Sequence, residues 1–186
     1  MNDTICALAT PAGGAIGIIR VSGDKAIRIT DELFKAKSMK SLSDAKGNSL
    51  HYGEFYNAKQ QLIDEVVISV YKAPHSYTGE DSTEISCHGS AYILHQVMQA
   101  LIDKGCRSAL PGEYTQRAYL NGKMDLSQAE AVADLVSASN KASHQLALSQ
   151  IRGHFSNKLS RLRDMLLHIT SLLELELDFS DHEELE

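Results

Sequence analysis

The chain has 186 residues, 43% hydrophobic and 23% charged, a composition of folded globular proteins that excludes a disordered one. Eighteen Lys and Arg against 24 Asp and Glu leave a net charge of -6, and no basic run forms a phosphate-tracking stripe, so this chain alone is a poor nucleic-acid binder. The length exceeds the ~150 residues usual for one domain, which allows a domain with an appendage or two small domains.

The opening stretch MNDTICALAT has no basic segment before its short apolar run, and nowhere do 18 consecutive apolar residues occur. The expectation is a cytoplasmic protein with no membrane contact. Cys6, Cys87 and Cys106 are odd in number, far apart and without CxxC spacing, and are expected to be buried free thiols.

In chain order, residues 5–9 and 15–22 read as strands on either side of a turn built on Gly13 and Gly14. Residues 24–35 carry Ala26, Ile27, Ile29 and Leu33 at helical spacing after a Ser22-Gly23 start signal. Residues 50–56 and 63–71 follow as strands joined by a polar turn, then a strand over 82–88 and an apolar helix over 91–104 that stops at Gly105. From Pro111 onward no strand signal survives. Ser127-Gln128-Ala129-Glu130 reads as a capping box opening a helix. Over 143–178 runs a longer helical pattern, with Leu148, Phe155, Leu162 and Ile169 seven apart and Leu159, Leu166 and Leu173 forming a second row. This double seam wants a partner helix, and bundle packing is the first expectation, because Arg152 and Gly153 interrupt the early register. The acidic end DFSDHEELE, without a cap or a return helix, suggests a chain cut inside a larger architecture.

The glycines of TPAGGAIGIIRVSG do not make a phosphate loop. A phosphate cradle needs its glycines to open a helix, whereas Ile16, Ile18, Ile19 and Val21 make a buried strand. No GxxxxGK[ST] occurs anywhere. On a two-residue period Arg20 shares a face with Ile16 and Ile18, and a guanidinium there needs a partner, either a structural ion pair or a bound carboxylate. The same period groups Glu84, Ser86 and His88 on the strand 82–88. A metal set of Asp81, Glu84 and His88 lacks a second histidine at ligand spacing, and no metal site is expected. PHSYTGEDSTEISCHGS and PGEYTQRAYLNGKMDLSQAEAVADL each start at a proline and then place a Tyr-Thr pair beside a carboxylate; they read as loops that organise a pocket or an interface. Neither matches a hydrolase triad, so no catalytic residue is assigned.

Together TPAGGAIGIIRVSG, SYTGEDSTEISCHG and PGEYTQRAYLNGKMDLSQAEAVADLVSAS resemble, in order and over nearly the whole chain, the N-terminal half of the MnmE (TrmE) family of tRNA-modification GTPases. The resemblance implies an α+β fold: a mixed β-sheet domain of the tetrahydrofolate-binding, aminomethyltransferase-like type over residues 1–121, then an incomplete α-helical domain over 122–186 that stops before the G domain. It implies a homodimer formed through the N-terminal domain and a bound one-carbon donor, 5-formyl-tetrahydrofolate. By motif the folate contacts fall on Arg20, Glu84 and Lys123. Glu84 suits the pterin N–H groups, and the two cations suit the carboxylates of the glutamate tail. GTP, K+ and Mg2+ belong to the absent G domain, and the whole enzyme works with the FAD protein MnmG (GidA) on the wobble uridine of tRNA. One departure stands out: the family commonly reads HGG where this chain has His88-Gly89-Ser90, and Ser90 is expected to cap the following helix.

Two other readings stay open. One is a free-standing folate-dependent one-carbon transferase, with His88 or Asp81 as acid or base. The other is a pure assembly scaffold whose apolar helices form the interface.

Overall fold

The structure, a computed structural model, describes residues 3–37 and 41–183, with side chains to residue 177. Met1 and Asn2 of the opening stretch, and the end of the acidic tail, lie outside the described residues. The chain divides into two units, Met1–Lys123 and Met124–Glu186.

In the first unit seven strands form one mixed sheet: β1 (Ile5–Leu8), β2 (Ile16–Ser22), β3 (Phe34–Ala36), β4 (Ser49–Tyr56), β5 (Leu62–Tyr71), β6 (Ser82–His88) and β7 (Arg107–Ser108). Their spatial order is β3-β4-β5-β6-β2-β1-β7, antiparallel except for the β1–β7 pair. One face is dry. Cys6, Ile19, Val21, Val66, Ile68, Val70, Ile85 and Cys87 project from it into a core completed by α1 (Ala26–Leu33) and α2 (Ala91–Asp103), which supply Ile27, Ile29, Leu33, Leu94, Val97 and Leu101. Each fully buried aliphatic side chain here contributes roughly 1.5–3 kcal/mol. All three cysteines are free and buried, as expected.

The opposite face is wet over most of its area, so β2 is buried on one side only. Ile16 is 64% exposed, which corrects the expectation of a strand buried throughout. Only the end near Ile5 and Ser22 is covered there, and both residues are fully buried. The cover includes α3 (Glu113–Leu120), a helix absent from the sequence reading.

The pattern over 24–35 proves to be two elements. α1 ends at Leu33; Phe34 turns extended, stays buried and pairs with Phe55 as the start of β3. α2 closes as expected: Gly105 takes a φ of 102°, and the Cys106 amide reaches back to the Leu101 carbonyl at 3.0 Å. Ser90 occupies the N-cap position of α2, yet its side chain makes no cap hydrogen bond. The residue that must be glycine is Gly89, where a Cβ would lie 2.1 Å from the Gly14 carbonyl oxygen.

The second unit holds α4 (Leu126–Ser137), α5 (Lys141–Ile151) and α6 (His154–Glu183). The capping box sits two residues earlier than expected: Asp125 accepts from the Gln128 amide, and the Gln128 side chain accepts from the Asp125 amide. The long pattern over 143–178 is broken at Gly153, with a φ of 76°, so Leu148 lies on α5 and the rest of the seam on α6. Along α6 the seam residues stay open, from Phe155 at 48% to Leu166 at 65% exposed. Among the described residues no helix is long and apolar enough to cross a membrane.

Candidate functional site

The antiparallel register of β2 and β6 sets Arg20 opposite Glu84 on the wet face. Arg20 Nε donates to Glu84 Oε1 at 2.8 Å, and Nη2 lies 2.7 Å from the same oxygen in an ion pair. The pair is partly open, with side chains 31% and 23% exposed. Two tyrosine rings flank the guanidinium, Tyr77 at 5.5 Å and Tyr114 at 5.6 Å from its central carbon. Such contacts are worth ~0.5–1 kcal/mol each at exposed sites, so the rings orient Arg20 more than they stabilise the fold. Tyr114 also donates its hydroxyl to the Arg20 carbonyl at 2.7 Å, and burial pushes that phenol upward in pKa. Tyr77 is braced by a 2.9 Å hydroxyl contact to Thr115 on α3. Beside the pair a cleft of about 430 Å³ is lined by Arg20, Tyr114, Leu8, Leu110, Pro111 and Gly112.

What holds α3 over the sheet is charge rather than apolar packing. Arg117, 1% exposed, donates to the Asp3 carbonyl and carboxylate at 2.9 and 2.7 Å, to Glu80 at 3.2 Å and to Glu113 at 3.1 Å. Glu113 is also gripped by both terminal nitrogens of Arg107 and by the Leu110 amide. The Arg107 guanidinium holds the Glu113 carboxyl down to about 2, against burial that would raise it. Glu80 in turn accepts from Ser22, which contacts Thr78, so the segment that carries Tyr77 is tied to the same cluster.

The structure therefore brings Arg20 and Glu84 together, each the partner of the other. Lys123 joins neither. Its ammonium donates to the Pro74 carbonyl at 2.9 Å, and its stem packs by Gly79, so it anchors the loop that carries Tyr77. Asp81 accepts from the Ala73 amide. His88 leans on Asp64, which accepts from its Nδ1 and its backbone amide, both at 2.8 Å. Asp81, Glu84 and His88 thus have three separate sets of partners. The Gly13-Gly14 turn docks on Gly89 through two backbone hydrogen bonds and leads into β2, not into a helix.

Sequence spacing alone does not single out Tyr77 and Tyr114. The signal was there, since they are the tyrosines of the two Tyr-Thr pairs, and both converge on Arg20 from segments 37 residues apart (114 - 77).

Comparison with known proteins fits the division of the chain. Residues 4–123 match the family described as "GTP-binding protein TrmE N-terminus" and residues 126–186 the "MnmE helical domain". A protein of Bacteroides fragilis named "tRNA modification GTPase MnmE" is 65% identical over 183 residues, covering 98% of this chain and 39% of its own length. Proteins of the same name are 56% identical in Phocaeicola vulgatus, covering 100% of this chain and 43% of their own, and 55% identical in Flavobacterium johnsoniae, covering 98% and 39%. The chain spans about two-fifths of the length of these relatives. From the first strand of its sheet to the end of its helices, this chain belongs to the MnmE (TrmE) family.

Proposed function

We propose that the wet face of the sheet at Arg20 and Glu84 binds a reduced folate of the 5-formyl-tetrahydrofolate kind, and that the chain serves in a GTPase that modifies the wobble uridine of tRNA in the cytoplasm. The observation that carries the folate reading is the open ion pair between two tyrosine rings. A flat heterocycle with polar edges matches those groups: the rings offer stacking, Glu84 accepts from N–H groups, and Arg20 and Lys123 supply positive charge for an acidic tail. The fit is favourable because Glu84 Oε2 has no protein donor among the described residues. When bound, the folate would supply the one-carbon unit; the residues of this chain hold and orient it.

The tRNA role is supported by the name shared by the relatives. No GxxxxGK[ST] occurs in the sequence, so GTP, K+ and Mg2+ are assigned to a G domain that this chain does not contain. The first unit forms the homodimer in this reading, and the FAD protein MnmG and tRNA are partners of the whole enzyme. The test is calorimetric titration of the 186-residue chain with 5-formyl-tetrahydrofolate. Saturable heat that is lost in Glu84→Ala is expected. No heat with the native chain, or equal heat after the substitution, refutes the site.

A further inference from the structure

Of the enclosed residues of α3, Glu113 and Arg117 are charged and Ala118 alone is apolar, while Tyr119 and Leu120 are 41% and 58% exposed. A helix seated in this way draws little from the hydrophobic effect. Its side chains bind instead to the segment 74–80, which precedes β6. Thr115 meets the Tyr77 hydroxyl at 2.9 Å, and Arg117 donates to Glu80 at 3.2 Å. Just past the helix, Asn121 donates to the Thr78 carbonyl at 2.7 Å and Lys123 to the Pro74 carbonyl at 2.9 Å. The fit is close as well as polar: a Cβ on Gly79 would lie 3.2 Å from side-chain carbons of both Asn121 and Lys123.

Polar groups also join these two segments to the rest of the first unit. Tyr114 donates to the Arg20 carbonyl, Ser22 meets Thr78 and Glu80, Arg117 donates to Asp3, and Arg107 on β7 grips Glu113. Regions with few buried apolar contacts open at a lower free energy than the core, and they do so in contiguous cooperative units. Four ties from α3 and its exit bind 74–80 to the helix, so neither segment leaves without breaking them.

We propose that α3 and residues 74–80 form one cooperative cover, which opens and closes as a body and carries the Tyr77 and Tyr114 rings on and off the sheet together. The cover also holds one wall of the cleft beside Arg20, formed by Leu110, Pro111, Gly112 and Tyr114. A ligand of that face enters while the cover is raised and is enclosed when both rings return beside the Arg20 guanidinium. This holds for any ligand of the face and does not rest on the folate reading. Asn121 is then a positioning residue: it touches the backbone next to Tyr77 and fixes the ring through it.

Amide hydrogen exchange of the native 186-residue chain, at rising urea below the unfolding transition, measures the opening of each segment. Residues 75–80 and 113–121 are expected to open with one common free energy and to exchange at least about tenfold faster than β5 and β6. Glu113→Ala gives a second reading. Glu113 bonds to Arg107, Arg117 and the Leu110 amide and, among the described residues, to nothing in 74–80, so its loss reaches that segment only through α3. Both segments are expected to speed up by the same factor, about tenfold or more, because hydrogen bonds to a buried charge are lost. Two different opening free energies in the native chain, or opening of both segments only with the whole sheet, overturn the proposal. So does a Glu113→Ala chain in which α3 speeds up and 75–80 does not. The native-chain comparison decides alone where that variant fails to fold.

Discussion

Replacing Arg117 with methionine isolates the charge cluster that seats α3 on the sheet. Methionine keeps an unbranched stem and fills much of the same space, so the loss is mainly electrostatic. Three carboxylates lose a partner, but not equally. Glu113 retains Arg107 and the Leu110 amide, and Asp3 retains Arg107 and is 44% exposed. Glu80 is 12% exposed and, among the described residues, keeps only the Ser22 hydroxyl on its side chain, so it becomes a near-buried charge with no cation among them. Breaking a buried pair by removing one partner costs ~3–5 kcal/mol, and with two of the three acids still paired the lower end, about 3 kcal/mol, applies. Urea unfolding followed by circular dichroism measures this; for a slope near 2 kcal/mol per molar the midpoint drops by about 1.5 M. Adding Glu80→Gln to Arg117→Met removes the stranded charge and should restore about half of the loss. A loss below about 1 kcal/mol, or no recovery in the double variant, refutes the assignment of that cost to Glu80.

Acid should loosen the same cluster. Arg107 holds Glu113 at about 2 in the folded protein against an ordinary value of 4.5. A depressed folded value means that the stabilisation is complete above 4.5 and is lost as pH falls through the folded value near 2, an effect of order 3 kcal/mol. Unfolding free energy measured from pH 6 to pH 2 should fall less steeply in Glu113→Gln than in the native chain, and parallel curves would contradict the linkage. Gly89→Ala forces a methyl against the Gly14 carbonyl oxygen, 2.1 Å away, and should cost about 1–3 kcal/mol in thermal unfolding. Ser90→Gly, next to it, should change stability by only a few tenths of a kcal/mol, because the Ser90 side chain makes no cap bond.

Elements whose buried faces are apolar were legible in the sequence. The strand expected over 82–88 is β6 to the residue, and the helix expected over 91–104 differs from α2 by one. α3 escaped because its buried positions include Glu113 and Arg117, so a search for apolar periodicity sees nothing there. β3 escaped for the opposite reason: Phe34 continues the apolar pattern of α1, and only the distant partner Phe55 makes it a strand. At the candidate site, alternation placed Arg20 and Glu84 on strand faces, but their meeting depends on a β2–β6 pairing across 64 residues, a register that no local pattern encodes. Lys123 came from motif resemblance alone, and its contact with the Pro74 carbonyl depends on how a loop folds. Tyr77 and Tyr114 were visible as a repeated Tyr-Thr pair whose common target could only be found in three dimensions.

β2 carries two interleaved messages. Gly17, Ile19 and Val21 face the core and answer to packing, while Ile18 and Arg20 face the solvent side, where the proposed ligand would meet them. Because neighbours in the sequence sit on opposite sides of the sheet, one set can drift while the other is held. A lineage could therefore retune recognition at Arg20 without rewriting the interior that supports it. Selection for chemistry and selection for folding then act on alternate letters of the same seven-residue word.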